Sequence, residues 1–96
     1  MPTYVSLIRL TQKGRENLKS LPQRVAENAK IREALGGRLI GAYATFGRYD
    51  FVVIAEYPNS QAILQAVAKG TLQGMASVET VEAIPIEEFT KIIDKI

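Results

Sequence analysis

The sequence predicts an α+β domain whose elements follow the order β-α-β-β-α-β, with an extra helix at the C-terminus. Two kinds of segment follow one another along the 96 residues. Some are short runs that are apolar throughout or apolar at every second residue, as is typical of strands, and in the others the apolar residues recur every three or four positions, as in helices. With 47% hydrophobic and 23% charged residues, we expect one domain over residues 1–96 with a modest core.

The first half of the chain predicts a strand, two helices and a second strand. In the first strand, residues 3–10, Val5 and Leu7 would point to one face and the even-numbered side chains to the other. Thr11 is a typical N-cap for a short helix over residues 12–19. A longer helix follows Pro22 and ends at the glycine pair after Leu35. Its predicted apolar stripe is Leu18, Leu21, Val25 and Ala29.

A hairpin is predicted next, with strands at residues 38–46 and 51–57 joined by the turn 47–50. Asn59 or Ser60 would cap a helix over residues 60–73. That helix has one apolar stripe that includes Ile63 and Gly70, and Gly70 would allow a close approach to the sheet. A second stripe is formed by Leu64, Ala68 and Leu72, and either an oligomer contact or another part of the chain would cover it.

The last elements are a strand and a helix. In the strand over residues 77–84, Glu79 shares a face with Ser77 and Val81. A helix then starts after Pro85, and its apolar stripe must dock somewhere. The stripe consists of Ile86, Phe89, Ile93 and Ile96.

This order of elements is the ferredoxin-like, split-βαβ arrangement. Its two helices would cover one face of a four-stranded antiparallel sheet. The other face carries apolar side chains and has no helix assigned to it, so we expect it to meet a second copy of the chain.

The composition argues against several classes of function. The chain has no Cys and no His, so we expect no disulfide, no zinc site and no Ser-His-Asp or Cys-His catalytic arrangement. No apolar run is long enough to span a membrane, no signal peptide is recognisable, and the protein is expected to be cytoplasmic. The net charge is +2 with scattered basic residues, and no phosphate-binding loop is present, so neither a nucleic-acid partner nor a cofactor is predicted.

The segment TFGRYDFVV, residues 45–53, is the most distinctive part of the chain. Gly47 would supply a positive φ for the turn. Asp50 would accept backbone N–H groups of that turn, and Tyr49 offers an apolar ring with a polar tip. The residues alone leave open whether this motif is a structural turn or part of a ligand site.

Together with residues 2–14, PTYVSLIRLTQKG, the hairpin closely resembles the GYD-domain family, named for a Gly, Tyr, Asp motif that appears here as Gly47, Tyr49 and Asp50. The resemblance covers essentially the whole chain and implies a dimeric α+β barrel. The same hairpin is similar to the effector-binding domain of the leucine-responsive (Lrp/AsnC) regulators. In those domains an amino acid binds near this turn at a subunit interface. The DNA-reading helix-turn-helix of those regulators has no counterpart here, so DNA binding is not expected.

Two further sets of residues are candidates for a ligand site. Arg9 ends an apolar strand, where it would anchor a carboxylate ligand, form an ion pair with Asp50 or Glu79, or be solvated. Polar side chains on the open face would line either a small-molecule pocket or a dimer interface. These side chains are Tyr4, Ser6, Tyr43, Thr45 and Glu79.

The leading hypothesis is therefore a non-enzymatic homo-oligomer that binds or senses a small molecule in a cavity between facing sheets. Its predicted ligand-binding residues are Arg9, Tyr43, Thr45, Gly47, Tyr49, Asp50 and Glu79. One alternative is a cofactor-free, monooxygenase-like enzyme on the same barrel, which rests on analogy of fold. Another is a structural oligomerisation module without a ligand.

Overall fold

A computed structural model describes residues 1–96 as a four-stranded antiparallel sheet with the strand order β2-β3-β1-β4. This order confirms the ferredoxin-like arrangement, in which the first and third strands are central. A short 3₁₀ turn, Leu18–Ser20, separates the first two helices. The elements are β1 (Thr3–Leu10), α1 (Gln12–Glu16), α2 (Leu21–Ala34), β2 (Arg38–Ala44), β3 (Phe51–Glu56), α3 (Ser60–Thr71), β4 (Ala76–Ala83) and α4 (Ile86–Asp94).

The helix ends follow from local side-chain chemistry. The Oγ1 of Thr11 accepts the backbone N–H of Gly14 at 3.1 Å, and the Oδ1 of Asn59 accepts that of Ala62 at 2.9 Å. Each bond satisfies a backbone donor that the first turn of a helix cannot pair internally. Gly36 has a φ of 76° just beyond α2, in the left-handed region that glycine adopts most readily. These three helix boundaries confirm the sequence prediction.

Gly14 allows α1 to pack closely against the chain just before β4. Gly14 is buried, and a Cβ at this position would lie 2.0 Å from the carbonyl oxygen of Met75. The backbone N–H of Thr11 donates to the same oxygen at 3.0 Å. A side chain at residue 14 would therefore separate β1 and β4 at this end of the sheet.

The core lies between α3 and the side of the sheet that faces the helices, here called the covered face. Tyr4 of β1 and Ala55 of β3 pack there against Ile63, and the ring of Tyr4 meets that of Tyr57 edge-on at 6.3 Å. The hydroxyl of Ser6 is hydrogen-bonded to that of Thr80 at 2.9 Å, which satisfies two polar groups within this layer. The buried apolar residues are Tyr4, Leu10, Ala55, Tyr57, Ala62 and Ile63.

Two packing predictions for the helices are wrong. Leu18 and Val25 are exposed, because α2 contributes little to the core and the half-buried Leu35 just beyond it packs there instead. Gly70 is also exposed, and a Cβ there would meet Asn28 of α2 at an ordinary 3.6 Å. Gly70 therefore faces α2 rather than the sheet.

The opposite side of the sheet, here called the open face, has no helix over it. Its apolar side chains include Val5 and Leu7 of β1, Val52 and Ile54 of β3, and Val81 of β4, none of which is buried. The apolar stripe of α4 is equally uncovered, with Ile86 65% exposed and Phe89 47% exposed. The monomer thus leaves two apolar surfaces in contact with solvent.

No helix of the structure is both long enough and apolar enough to cross a membrane.

Candidate functional site

The hairpin between β2 and β3 brings the Gly-x-Tyr-Asp motif to one end of the open face. Gly47 has a φ of 104°, as predicted for the turn. The backbone N–H of Thr45 donates to the carbonyl of Asp50 at 2.9 Å, and its Oγ1 donates to the carbonyl of Tyr49 at 2.8 Å. Thr45 therefore closes the hairpin with two bonds, and the turn aims the Tyr49 ring toward β1 and β4.

Asp50 fastens this hairpin to the end of β1 rather than capping its own turn. Its carboxylate accepts the backbone N–H of Leu10 at 2.7 Å, and its own N–H donates to the carbonyl of Ile8 at 2.8 Å. β3 starts only at Phe51, so it offers no backbone carbonyl to the N–H of Leu10. The carboxylate of Asp50 accepts this N–H in place of a strand carbonyl. The prediction that Asp50 accepts N–H groups of its own turn is wrong for this reason.

Tyr49 is the centre of a polar cluster on the open face. Its hydroxyl donates to the Oε2 of Glu79 at 2.5 Å. The Cζ atoms of Arg9 and Arg48 lie 5.8 and 5.7 Å from the centre of its ring, within cation–π range. The Nε of Arg9 also donates to the carbonyl of Arg48 at 3.0 Å. Two guanidinium groups and one carboxylate therefore surround one phenol.

The hydrogen bond to Glu79 raises the pKa of Tyr49, and desolvation and the charge of Glu79 act in the same direction. The positive charges of Arg48 and Arg9 act against this rise. At neutral pH Tyr49 is therefore a neutral phenol, and its hydroxyl donates a hydrogen bond to the carboxylate of Glu79.

A cavity of about 260 Å³ lies at this cluster. Its lining combines apolar strand residues with the charged groups around Tyr49. The lining residues are Leu7, Arg9, Arg48, Tyr49, Ser77, Val78 and Glu79. Ligand pockets usually measure about 300–1,000 Å³, so this cavity fits a small ligand, or forms part of a larger site that a facing surface completes.

The structure brings together three of the predicted ligand-binding residues: Arg9, Tyr49 and Glu79. Tyr43 lies on the open face but does not line the cavity. The hairpin residues Thr45, Gly47 and Asp50 form and anchor the turn, and they do not line the cavity.

Two expectations about contacts on this face need correction. Tyr4 and Ser6 do not line the open face, because β1 turns them toward the helices, where they are buried. Arg9 forms no ion pair with Asp50 or Glu79. The ion pair of the structure joins Arg38 and Glu56 at 2.9 Å, at the other end of the sheet.

Sequence reasoning missed Arg48 and Ser77 as lining residues. Simple alternation along β4 places Ser77 on the same strand face as Glu79, and this is the signal that could have found it. Arg48 carries no such signal, because its position depends on the geometry of the turn.

Comparisons with known proteins agree with this fold. The model of the GYD domain matches residues 4–93. A relative from Thermus thermophilus, named as a glutamine synthetase and cystathionine beta-lyase binding protein, is 34% identical over 90 residues, which are 93% of this chain and 95% of that protein.

Two solved structures share the architecture. A crystal structure of a protein from Thermus thermophilus matches with a TM-score of 0.55 and 23% identity over 88% of this chain and 95% of the other. The crystal structure of FFRP-DM1 matches with a TM-score of 0.54 and 17% identity, and covers 88% of this chain and all of that one (100%). At these identities the likeness concerns the fold.

Proposed function

Because the chain belongs to the GYD-domain family, we propose that it is a non-catalytic binding protein that pairs with a second copy through its open face and binds a small carboxylate at the Arg9–Tyr49–Glu79 cluster. The observation that carries this proposal is the position of the cavity. Charged groups converge at the end of an apolar sheet face that the chain itself leaves uncovered. A second sheet placed over that face would exclude water from the cluster.

The chemistry of the cluster favours binding of an anionic group. Arg9 and Arg48 both place a guanidinium group near the Tyr49 ring. A guanidinium pairs with a carboxylate through two parallel hydrogen bonds. Glu79 holds the Tyr49 hydroxyl and would accept from a donor on the same ligand. Leu7, whose side chain lies on the open face, supplies an apolar wall for the carbon skeleton of the ligand.

The same geometry favours binding over catalysis of the monooxygenase type. A phenol whose pKa is raised is a poor general base at neutral pH. The guanidinium groups of Arg9 and Arg48 supply positive charge and hydrogen bonds rather than proton transfer. The purely structural alternative predicts assembly without any ligand, and a binding measurement distinguishes it.

Native mass spectrometry of the freshly purified protein tests the proposal, because it reports the assembly and any retained ligand together. We expect an oligomer that carries a discrete added mass or gains one when small carboxylic acids are supplied. The Arg9→Met variant should bind such an acid at least about tenfold more weakly, since a charged hydrogen bond contributes about 1.5–3 kcal/mol.

Arg38→Met is the matched control, because Arg38 lies at the opposite end of the sheet and is largely exposed. It should leave the affinity within about threefold, a difference of under 1 kcal/mol. Equal losses in both variants would contradict the assignment of the site to Arg9. An oligomer that binds no carboxylate would favour the structural module.

A second candidate function, the binding of a metabolic enzyme, is favoured by the relative that is 34% identical and named for binding glutamine synthetase and cystathionine beta-lyase. In this case the exposed apolar surfaces would receive an enzyme. Sedimentation of the protein mixed with each of the two purified enzymes in turn tests it. A joint boundary with either enzyme supports enzyme binding, and independent boundaries in both mixtures contradict it.

A further inference from the structure

The cavity at the Arg9–Tyr49–Glu79 cluster is exposed to solvent on its outer side. Arg9, Ser77 and Glu79 are exposed although all three line it. Its volume of about 260 Å³ also lies below the range of about 300–1,000 Å³ that is usual for ligand pockets. A ligand held by this chain alone would keep one side in water, so a second surface is needed to enclose it.

Tyr43 is a large aromatic side chain at the other edge of the open face, where it is 59% exposed. Its ring lies along β2 over Gly41. A Cβ at Gly41 would come within 2.9 Å of the ring atom Cε2 and 2.8 Å of the hydroxyl oxygen. Because Gly41 has no side chain, the ring can lie against its own sheet. The space above it is then free for a second sheet at the usual spacing of about 10 Å.

The strand register places Tyr43 and Glu79 in one row across the open face, but at opposite edges. The row consists of Tyr43, Val52, Leu7 and Glu79, each paired with the next. The adjacent row consists of Gly41, Ile54, Val5 and Val81. Three strand spacings of about 4.8 Å separate the ends of a row by about 14 Å. Tyr43 is too short to cross this distance, so it does not reach the cluster of its own chain.

Twofold symmetry can bring Tyr43 to the cluster of a second copy. A twofold axis that runs along the strands, midway between two facing sheets, exchanges the edges of the sheet and keeps its ends. β2 of each copy then faces β4 of the other, so Tyr43 faces Glu79, and Val52 faces Leu7 in the apolar middle. Facing sheets cross at about 30°, which shifts the contacts at the edges by about one residue. Val81, in the adjacent row, is therefore the other neighbour of Tyr43.

The chemistry of the two rows favours this axis over one that runs across the strands. An axis across the strands, centred between the two rows, would exchange the ends and keep the edges. Glu79 would then face Val81 of the second copy, and a carboxylate would be buried against an apolar side chain. The axis along the strands instead brings the Tyr43 hydroxyl to a carboxylate and the Tyr43 ring to Val81. Polar groups then meet polar groups, and apolar groups meet apolar groups.

We propose that Tyr43 of a second copy covers the Arg9–Tyr49–Glu79 cavity and binds its ligand, so that each site is shared between two copies of the chain. This inference rests on the proposed pairing of open faces and adds a residue of the second copy to the site. The ring excludes water above the cluster, and the hydroxyl forms a hydrogen bond with the ligand. Twofold symmetry gives the dimer two such sites.

Mixing two defective variants tests the shared site. The probe is α-hydroxyisovalerate, which has a carboxylate, a hydroxyl donor and a small apolar skeleton, and calorimetry measures its binding. Arg9→Met and Tyr43→Ala should each bind it at least about tenfold more weakly than the unmodified protein does. When the two variants have exchanged copies, each mixed dimer has one site with both native side chains. About one quarter of all sites should therefore regain the original affinity.

Phe46→Ala is the matched control, because Phe46 is an aromatic residue beyond the end of β2 and is fully exposed. It should leave the affinity within about threefold. An unchanged affinity in Tyr43→Ala, or a loss that mixing with Arg9→Met does not restore, overturns the shared site. A loss in Arg9→Met then still supports the proposed function. A dimer that does not bind the probe overturns the proposed function and the role of Tyr43 together.

Cross-linking tests the placement of Tyr43 without a ligand, because the chain contains no cysteine. Tyr43→Cys is mixed with a size-tagged Val81→Cys variant and treated with a short bismaleimide. We expect the tagged–untagged product, and at least about tenfold less linking between two Tyr43→Cys chains, since the axis along the strands holds those residues at opposite edges. A dimer that links mainly through two Tyr43→Cys chains overturns the shared site and leaves the pairing of faces intact. A monomeric protein overturns both.

Discussion

The covered face and the open face of the sheet are built from alternate residues of the same strands, yet the helices of the chain bury only the covered face. On the covered face Tyr4, Ala55 and Ile63 are buried, and Ser6 and Thr80 satisfy each other. On the open face Val5, Leu7 and Val81 remain in contact with solvent. The difference shows that one layer of helices covers one face of the sheet, and that the chain by itself leaves the open face uncovered.

The largest expected effect comes from the covered layer. Ile63→Ala should lower the free energy of unfolding by about 2–5 kcal/mol, because it removes buried methyl groups and leaves a cavity. Leu64→Ala is the matched control on the same helix, since Leu64 is 66% exposed and Ile63 only 6%. It should cost less than about 1 kcal/mol. Urea unfolding curves measure both, and equal losses would mean that α3 does not pack as described.

The tie between the hairpin and β1 should have the next largest effect. Asp50→Ala leaves the N–H of Leu10 without its 2.7 Å acceptor, which should destabilise the protein by about 1–3 kcal/mol. Asp94→Ala removes an exposed carboxylate of α4 and should change stability by less than about 0.5 kcal/mol. The same unfolding measurement compares them. A neutral Asp50→Ala would show that the carboxylate does not hold the hairpin.

Substitutions at two glycines distinguish the effect of backbone strain on stability from the effect of helix propensity. Gly47→Ala should destabilise the protein by about 1–2 kcal/mol, because a Cβ is disfavoured at a φ of 104° even though nothing lies within 4 Å of it. Gly70→Ala, within α3, should stabilise it by about 0.5–1 kcal/mol, since its Cβ meets only ordinary contact at 3.6 Å. Thermal unfolding of the two variants should shift in opposite directions, and a shift in the same direction would contradict the turn geometry.

The smallest expected effect concerns the pH at which Tyr49 loses its proton. The pKa of Tyr49 is raised, so its contribution to stability is complete below the ordinary tyrosine pKa of about 10 and is lost as the pH rises through the higher value of the folded state. The titration of Tyr49 is obtained by measuring tyrosinate absorbance against pH and subtracting the curve of the Tyr49→Phe variant from that of the protein. Glu79→Gln should move its midpoint toward lower pH, whereas Glu82→Gln, on the other side of β4, should not. An unmoved midpoint would remove Glu79 as the cause.

Sequence reasoning could predict the elements and the topology because their signals are local. The strand over residues 3–10 matches β1, and the caps at Thr11 and Asn59 act where a short polar side chain precedes a helix. The sequence predicts a hairpin strand that runs to Phe46, but β2 ends at Ala44. Thr45 bonds across to residues 49 and 50 and starts the turn earlier.

The site was harder to predict because it depends on distant contacts. That Asp50 reaches Leu10, and that Tyr49 reaches Glu79 across β1, depends on the geometry of the turn and on the strand register, which no local pattern encodes. Alternation along β1 places Tyr4 and Ser6 on the same face of the sheet, but it does not show whether that face is the covered or the open one. The packing of the helices determines that both residues lie on the covered face. The stripe that contains Leu64 and Leu72 is exposed, so the C-terminal segment of the same chain does not cover it.

The most direct test of the account is sedimentation velocity of the protein and of Val81→Asp at micromolar concentration. Val81 is 51% exposed on the open face, so the aspartate leaves the covered layer intact and places a charge where the second sheet would lie. The account predicts a species of at least twice the chain mass of 10.6 kDa for the protein, and a folded monomer for the variant. A monomer for the unmodified protein would contradict it.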